Sequence, residues 1–165
     1  MLEPRPAAWR RKIGLCFGAT VFIAVLSGLV IWRNEQDGFH QFRGGNYDAS
    51  FKTFTRHAAS GDSAAINFIG IHYYLGVAVD RDYIVAAQWF ERAARSDNAD
   101  AQRNLGVLYW RGWGVPRDNV KAYGWLYQAT SLGNHGAREY LKAVNQLITP
   151  NQTLQARRWI AAQLR

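Results

Sequence analysis

Residues 101–129 read AQRNLGVLYWRGWGVPRDNVKAYGWLYQA, and residues 65–93 read AINFIGIHYYLGVAVDRDYIVAAQWFERA. The two stretches match at a constant spacing of 36 residues. The pairs at this spacing are Ala65/Ala101, Ile69/Leu105, Gly70/Gly106, Tyr73/Tyr109, Gly76/Gly112, Val79/Val115, Asp82/Asp118, Ala86/Ala122, Trp89/Trp125 and Ala93/Ala129. A fixed period of roughly 20–50 residues is typical of stacked helical repeats. The repeat therefore predicts an all-α fold, a short α-solenoid of antiparallel helix pairs with an extended binding surface.

Helical periodicity continues on both sides of these two copies. Apolar positions at spacings of three and four predict helices, and they occur within residues 47–60, 63–75, 82–95, 99–111, 118–132 and 135–147. Asp82 and Asp118 are expected N-caps, because a carboxylate accepts hydrogen bonds from the backbone N–H groups of the first turn. Gly76 and Gly112 are expected to end the helices that precede them.

Residues 149–165 predict a capping helix at the end of the stack. The segment begins with TPNQ, which combines an N-cap threonine, a proline suited to the first helical position and a glutamine that completes a capping box. Leu154, Arg158 and Ala161 share one helical face, with Ile160 and Leu164 nearby. We expect this helix to shield the open end of the array.

Two glycines occupy the same position in the first helix of each of two consecutive helix pairs. Gly70 and Gly106 are 36 residues apart, and glycine inside a helix costs about 1 kcal/mol relative to alanine. A cost that recurs at one repeat position indicates close packing there. We expect an aromatic ring of the neighbouring helix against each glycine, and Trp89 and Trp125 are the candidate rings.

The second copy carries a motif that resembles the Sel1-like repeat, a relative of the tetratricopeptide repeat. The motif residues are Ala101, Gln102, Leu105, Gly106, Leu108, Tyr109, Gly112, Gly114, Val115, Asp118, Lys121, Ala122, Trp125 and Ala129. The first copy departs from the motif at Ala78, where glycine is expected, and at Ala87. The resemblance covers about residues 47–147, which assigns residues 47–148 to the solenoid. Members of this family are typically adaptors or scaffolds in bacterial envelopes or eukaryotic secretory compartments.

The resemblance also implies which residues face a partner. In tetratricopeptide geometry the first helix of each pair lines the concave face. The corresponding positions here are Asn67, Ile71, Tyr74, Arg103, Val107, Trp110, Arg111 and Glu139. Apolar and aromatic side chains with an arginine rim are typical of protein-binding patches. Tyr74 and Trp110 could instead pack against neighbouring turns, and Trp113, between two glycines, could be exposed for recognition or folded back onto the array.

The N-terminal third has the pattern of a membrane anchor. Residues 13–32 are uncharged and mostly apolar, and they lie between Lys12 and Arg33. About 20 apolar residues are long enough to cross the hydrocarbon core as a helix. Residues 1–12 have a net charge of +3, which favours a cytoplasmic N-terminus. The sequence thus predicts a single-pass inner-membrane protein, with a linker over residues 33–46 and a periplasmic array.

Two further interpretations concern this apolar segment. A weak signal-peptide cleavage site, with Val25 and Ser27 before Gly28, is a rival to a retained anchor. If the anchor is retained, small side chains along one face favour contact with another membrane helix. The residues expected at that contact are Gly14, Gly18, Val21, Val25 and Gly28.

Signals for other functional classes are weak. The net charge is +8, but the basic residues after position 33 are dispersed, so we expect no nucleic-acid partner. The histidines His40, His57, His72 and His135 have no metal-ligand spacing, and we expect no metal or cofactor. Cys16 is the sole cysteine, so no intrachain disulfide can form. Phosphate-binding loops and nucleophile elbows do not occur in the sequence, and we expect no catalysis.

The sequence therefore predicts a membrane-anchored adaptor or scaffold that binds protein partners on the periplasmic side and contacts membrane lipid through its anchor. The alternative is a structural accessory subunit of a larger membrane complex, such as a respiratory, secretory or polysaccharide machine. An enzyme is a remote third alternative.

Overall fold

The computed structural model of the chain describes residues 38–164, and all regular structure in that range is helical. A helical segment over residues 38–43 precedes seven helices. These are α1 (Tyr47–Ala59), α2 (Ser63–Leu75), α3 (Tyr83–Ala94), α4 (Ala99–Arg111), α5 (Asn119–Ser131), α6 (Ala137–Asn145) and α7 (Pro150–Gln163). The arrangement confirms the predicted α-solenoid.

The predicted anchor lies outside the described residues, together with Gly14, Gly18, Val21, Val25 and Gly28. Between residues 38 and 164, no helix is both long and apolar enough to cross a membrane.

Each helix from α1 to α5 packs against the next one along the chain, α4 also contacts α6, and α7 returns to pack against α5. The two central hairpins are built alike. The backbone N–H of Asp82 donates to the carbonyl of Tyr73, and the N–H of Asp118 donates to the carbonyl of Tyr109, both at 3.0 Å. These equivalent bonds hold the start of each second helix beside the end of its first helix.

The predicted helix caps are confirmed. One carboxylate oxygen of Asp82 accepts from the N–H groups of Ile84 and Val85, and Asp118 makes the equivalent pair of bonds. Gly76 and Gly112 end α2 and α4 in left-handed conformations, with φ of 70° and 73°. The capping box at the start of α7 is also present.

The predicted partners of the two helical glycines were wrong by one residue. A Cβ built on Gly70 would lie 2.6 Å from Cε1 of Phe90, and one on Gly106 would lie 2.7 Å from Cγ of Leu126. Phe90 and Leu126 are themselves 36 residues apart. Both glycines therefore pack against the equivalent position of the neighbouring helix. The side chain at that position is aromatic in the first repeat and aliphatic in the second, and neither Trp89 nor Trp125 contacts a glycine of this pair.

Trp125 instead packs beneath the capping helix. Its ring is buried and meets the ring of Trp159 edge-on at a centroid distance of 5.7 Å. Ala156 and Ile160 form the buried face of α7, whereas Leu154 is 50% exposed. The helix covers the array as expected, but through a face different from the predicted one, because Trp159 meets Trp125 and the backbone of Gly124.

The predicted linker is helical over residues 38–43. Phe39 and Phe42 both contact the ring of Phe68. Gly38 packs closely against the ring of Phe54, since a Cβ built on Gly38 would lie only 2.9 Å from the Phe54 ring. The sequence signal for this helix is the spacing of three between the two phenylalanines. The glycine pair at residues 44 and 45 marks its end.

Buried His72 ties this segment to the array. Its Nδ1 lies 3.0 Å from the carbonyl oxygen of Val77, and its Nε2 lies 3.3 Å from Oγ of Ser50. The hydroxyl of Ser50 also donates to the carbonyl of Gly38. Removal from water lowers the pKa of His72 below its usual value, although Val77 and the more distant Asp48 act in the opposite direction.

Candidate partner-binding groove

A groove of about 510 Å³ lies on the face formed by the first helices of each pair, α2, α4 and α6. It brings together four of the predicted contact residues, Ile71, Tyr74, Arg103 and Val107. The lining residues that sequence reasoning missed are Leu75, Phe90, Asn104, Gly136 and Tyr140. A concave, mainly apolar surface with a few polar groups is suited to binding a ligand or a peptide.

One wall of the groove is fixed by a polar network. The Nδ2 of Asn104 donates to Oδ1 of Asn67 at 3.1 Å, and Oδ1 of Asn104 accepts two bonds from the guanidinium of Arg103. Asn67 is only 3% exposed. It was predicted to contact a partner, but the structure buries it, so it acts on the groove by orienting Asn104.

The same network reaches the loop before α6. Arg103 forms an ion pair with Asp100 at 3.5 Å, and Asp100 accepts a hydrogen bond from Nδ2 of Asn134 at 2.8 Å. A Cβ on Gly136 would lie 3.1 Å from Nη1 of Arg103. These contacts join three successive helical units and keep the groove wall in place.

Aromatic and cationic side chains lie beside the groove residue Tyr140. The rings of Trp110 and Tyr140 meet edge-on with centroids 6.1 Å apart, and the guanidinium carbon of Arg111 lies 4.1 Å from the centre of a Trp110 ring. Trp110 is partly buried, while Arg111 and Glu139 are exposed. All three remain candidate contact residues.

Trp113 folds back onto the array and still keeps an exposed face. Its ring stacks on Tyr83 at 5.4 Å and lies 6.1 Å from the ring of Tyr74, and 38% of Trp113 is exposed. Gly114 has a φ of 70°, and a Cβ there would overlap the carbonyl of Tyr83. Glycine at this position therefore allows the loop to carry Trp113 next to the groove.

Two segments of the chain, residues 63–98 and 99–134, match the family model described as Sel1 repeat. The chain carries two Sel1 repeats. Each repeat is one helix pair of the structure, α2–α3 and α4–α5. Proteins with Sel1 repeats are protein–protein interaction modules.

Three solved structures are similar to this Sel1-repeat chain. A protective antigen of uropathogenic Escherichia coli with an SLR fold is 28% identical, has a TM-score of 0.72 and is matched over 79% of this chain and 29% of that one. A Sel1 repeat protein from Oxalobacter formigenes is 27% identical, with a TM-score of 0.62, over 78% and 54%. Cysteine rich protein B of Helicobacter pylori is 25% identical, with a TM-score of 0.53, over 56% and 69%.

The chain thus spans about a third of the first of these proteins and about half of the second. No curated protein matches the sequence.

The Sel1 repeats do not gather metal-binding side chains in the part of the chain that the structure describes. Residues 38–164 contain no group of three histidine, cysteine, aspartate or glutamate side chains that could hold a metal ion. The chemistry that the groove does offer is apolar contact, hydrogen bonding and interaction with charged groups.

Proposed function

We propose that the chain is an adaptor whose Sel1 repeats capture a protein partner in the groove between α2, α4 and α6. The observation that carries this proposal is the groove itself, in which Tyr74, Val107 and Tyr140 line one concave surface whose polar wall is already ordered. A preorganised surface loses little conformational freedom on binding, and this favours affinity.

We further propose that residues 13–32 anchor the array to the inner membrane, with the array in the periplasm. The support is the sequence pattern, an uncharged segment of about membrane-spanning length preceded by basic residues. Carbonate extraction of membranes that contain the full chain tests this directly. We expect the full chain to stay with the membrane pellet and a variant without residues 13–32 to be released; release of the full chain would contradict the anchor.

Affinity capture tests the adaptor proposal. The full chain is purified from its native membranes in mild detergent, and bound proteins are compared between the wild type and a Val107→Arg variant. The variant places a charged side chain in the groove, and we expect it to lose the partner while the helical content is retained. Recovery of the same partner at the same yield would refute the groove as the binding site.

The same experiment separates a transient adaptor from a permanent subunit. A partner that dissociates on dilution and washing is expected of an adaptor. Constant stoichiometry through washing and size-exclusion chromatography would instead favour an accessory subunit of a larger membrane complex.

A further inference from the structure

Two arginines lie beside residues that line the groove, Arg81 next to Leu75 and Arg111 on Trp110, which contacts Tyr140. Arg111 is exposed and lies over the ring of Trp110. Arg81 is exposed, and its guanidinium donates to the carbonyl of Leu75 at 3.4 Å. None of the ion pairs within residues 38–164 includes either arginine. Both side chains can therefore bind an external anion.

The hydroxyl of Tyr74 lies within the field of these two charges. Burial raises the pKa of Tyr74, as do Tyr83 and Tyr140, and Arg111 and Arg81 act in the opposite direction. Tyr74 and Leu75 are neighbours on α2 and both line the groove, so the guanidinium of Arg81, bonded to the carbonyl of Leu75, lies beside this part of the groove.

Charges elsewhere around the groove are arranged differently. Arg103, on the wall, is paired with Asp100, and Glu139 is exposed on α6 next to the groove residue Tyr140. Two exposed arginines without an ion pair within residues 38–164 therefore lie near the groove, and Glu139 is an exposed carboxylate on α6. Such a pattern orients a charged partner and selects among partners.

Exposed apolar surface also lies beside Tyr74. Tyr74 contacts Trp113, whose exposed fraction is 38%, and Ile84, next to Tyr83, is 60% exposed. A partner segment that ended at the arginines would leave this surface uncovered. The exposed apolar surface beside Tyr74 favours a segment that passes across the arginines.

We propose that the groove binds an extended, internal segment of a partner protein in which an aspartate or glutamate is flanked by apolar side chains. The acidic side chain binds Arg81 and Arg111, and the apolar side chains contact Ile71 and Val107 on one side and Trp113 on the other. This inference rests on the proposed function and adds the chemical class of the partner segment.

Peptide selection tests this inference without knowledge of the partner. A phage library of random short peptides, each fused through its carboxyl end so that no terminal carboxylate is free, is selected on the full chain in mild detergent. Parallel selections use the double variant R81Q/R111Q and the control R158Q, which removes an exposed charge on α7. Melting curves check that all three proteins are folded.

We expect the wild type and R158Q to enrich peptides that place Asp or Glu beside Leu, Ile or Phe. We expect R81Q/R111Q to lose the acidic preference and to bind the enriched peptides about tenfold more weakly or worse, as expected for the loss of charge-assisted hydrogen bonds. The inference is overturned by an acidic preference that survives in R81Q/R111Q, by a preference for basic peptides, by affinity that requires a free terminal carboxylate, or by no enrichment at all.

Failure of this inference is distinguishable from failure of the proposed function. If capture of the native partner is lost in Val107→Arg but the peptides show no acidic preference, the groove is the binding site and the charge assignment is wrong. If capture is unaffected by Val107→Arg, the proposed function fails.

Discussion

Gly70 lies against the ring of Phe90, with only 2.6 Å between the position that a Cβ would occupy and Cε1 of the ring. The second repeat has the same relationship between Gly106 and Leu126. Glycine is thus required because the helices of each pair approach closely, and the side chain that fills the space differs between the repeats.

Gly106→Leu should destabilise the protein by about 1–3 kcal/mol or more, because added atoms would overlap Leu126 and the carbonyl of Ala122. Gly70→Ala should also destabilise, although alanine favours a helix by about 1 kcal/mol. Urea denaturation measures both effects. The double variant Gly70→Ala/Phe90→Leu should lose less stability than the sum of its single variants, and strict additivity would contradict the packing account.

The loop that carries Trp113 offers a matched pair of substitutions. Gly114 and Ala78 occupy equivalent repeat positions and both have positive φ, 70° and 64°. A Cβ on Gly114 would overlap the carbonyl of Tyr83, whereas Ala78 already carries a Cβ. Gly114→Ala should therefore lower stability by more than the roughly 1–2 kcal/mol of backbone strain alone.

Ala78→Gly should be nearly neutral in thermal melts, because relief of strain offsets the greater flexibility of the unfolded chain. A loss in Gly114→Ala of no more than about 1–2 kcal/mol, the cost of backbone strain alone, would show that the Tyr83 contact contributes nothing.

His72 should make stability depend on pH below about 6.5. Burial lowers its pKa in the folded state relative to the usual value of 6.5. At pH values between the folded-state pKa and 6.5, His72 binds more protons in the unfolded chain than in the folded one. Acidification therefore favours unfolding, by at most about 1.4 kcal/mol per pH unit. The stabilising contribution is present at pH 7 and is lost as the pH falls.

His72→Leu places at this position the residue found at the equivalent site, Leu108. We expect lower stability at pH 7, since the bonds to Val77 and Ser50 are lost, and a flatter dependence between pH 7 and 5. Urea unfolding across this range checks both, with the exposed His40→Leu as control. A wild-type slope in His72→Leu would assign the pH dependence to other groups.

Trp110→Ala should weaken partner capture more than it lowers stability. The ring is only partly buried, so its loss should cost less than the roughly 3–5 kcal/mol of a fully buried aromatic side chain. A tryptophan at the centre of an interface can contribute about 2 kcal/mol or more to binding. Capture yield and melting temperature are measured together, with the exposed Leu132→Ala as control. A large stability loss with unaltered capture would assign Trp110 a structural role.

The repeat spacing and the cap residues were sufficient to predict the helix pairs, because each Asp or Gly cap acts through local backbone geometry. The contacts between helices were harder to predict. The recurring tryptophans at positions 89 and 125 suggested the glycine partners, yet adjacent residues point about 100° apart on a helix, and the true partners were Phe90 and Leu126.

For the groove, tetratricopeptide geometry grouped Ile71, Tyr74, Arg103 and Val107, and the structure places all four along one groove; their contact with a partner stays a prediction. The same geometry placed Asn67 at the surface, whereas the structure buries it. The sequence gives no sign that the Asn67 side chain will be hydrogen-bonded to Asn104. The helix at residues 38–43 was missed for a similar reason, since its stability comes from rings on α1 and α2.

Site-specific photocrosslinking in cells tests the central claim most directly. A photoreactive amino acid replaces Val107, inside the groove, or Gln88, exposed on the second helix α3. We predict a discrete crosslinked protein at Val107 that disappears when Trp110→Ala is added, and no such product at Gln88. Equal crosslinking at both positions, or crosslinking at Gln88 alone, would contradict a partner held in the concave groove.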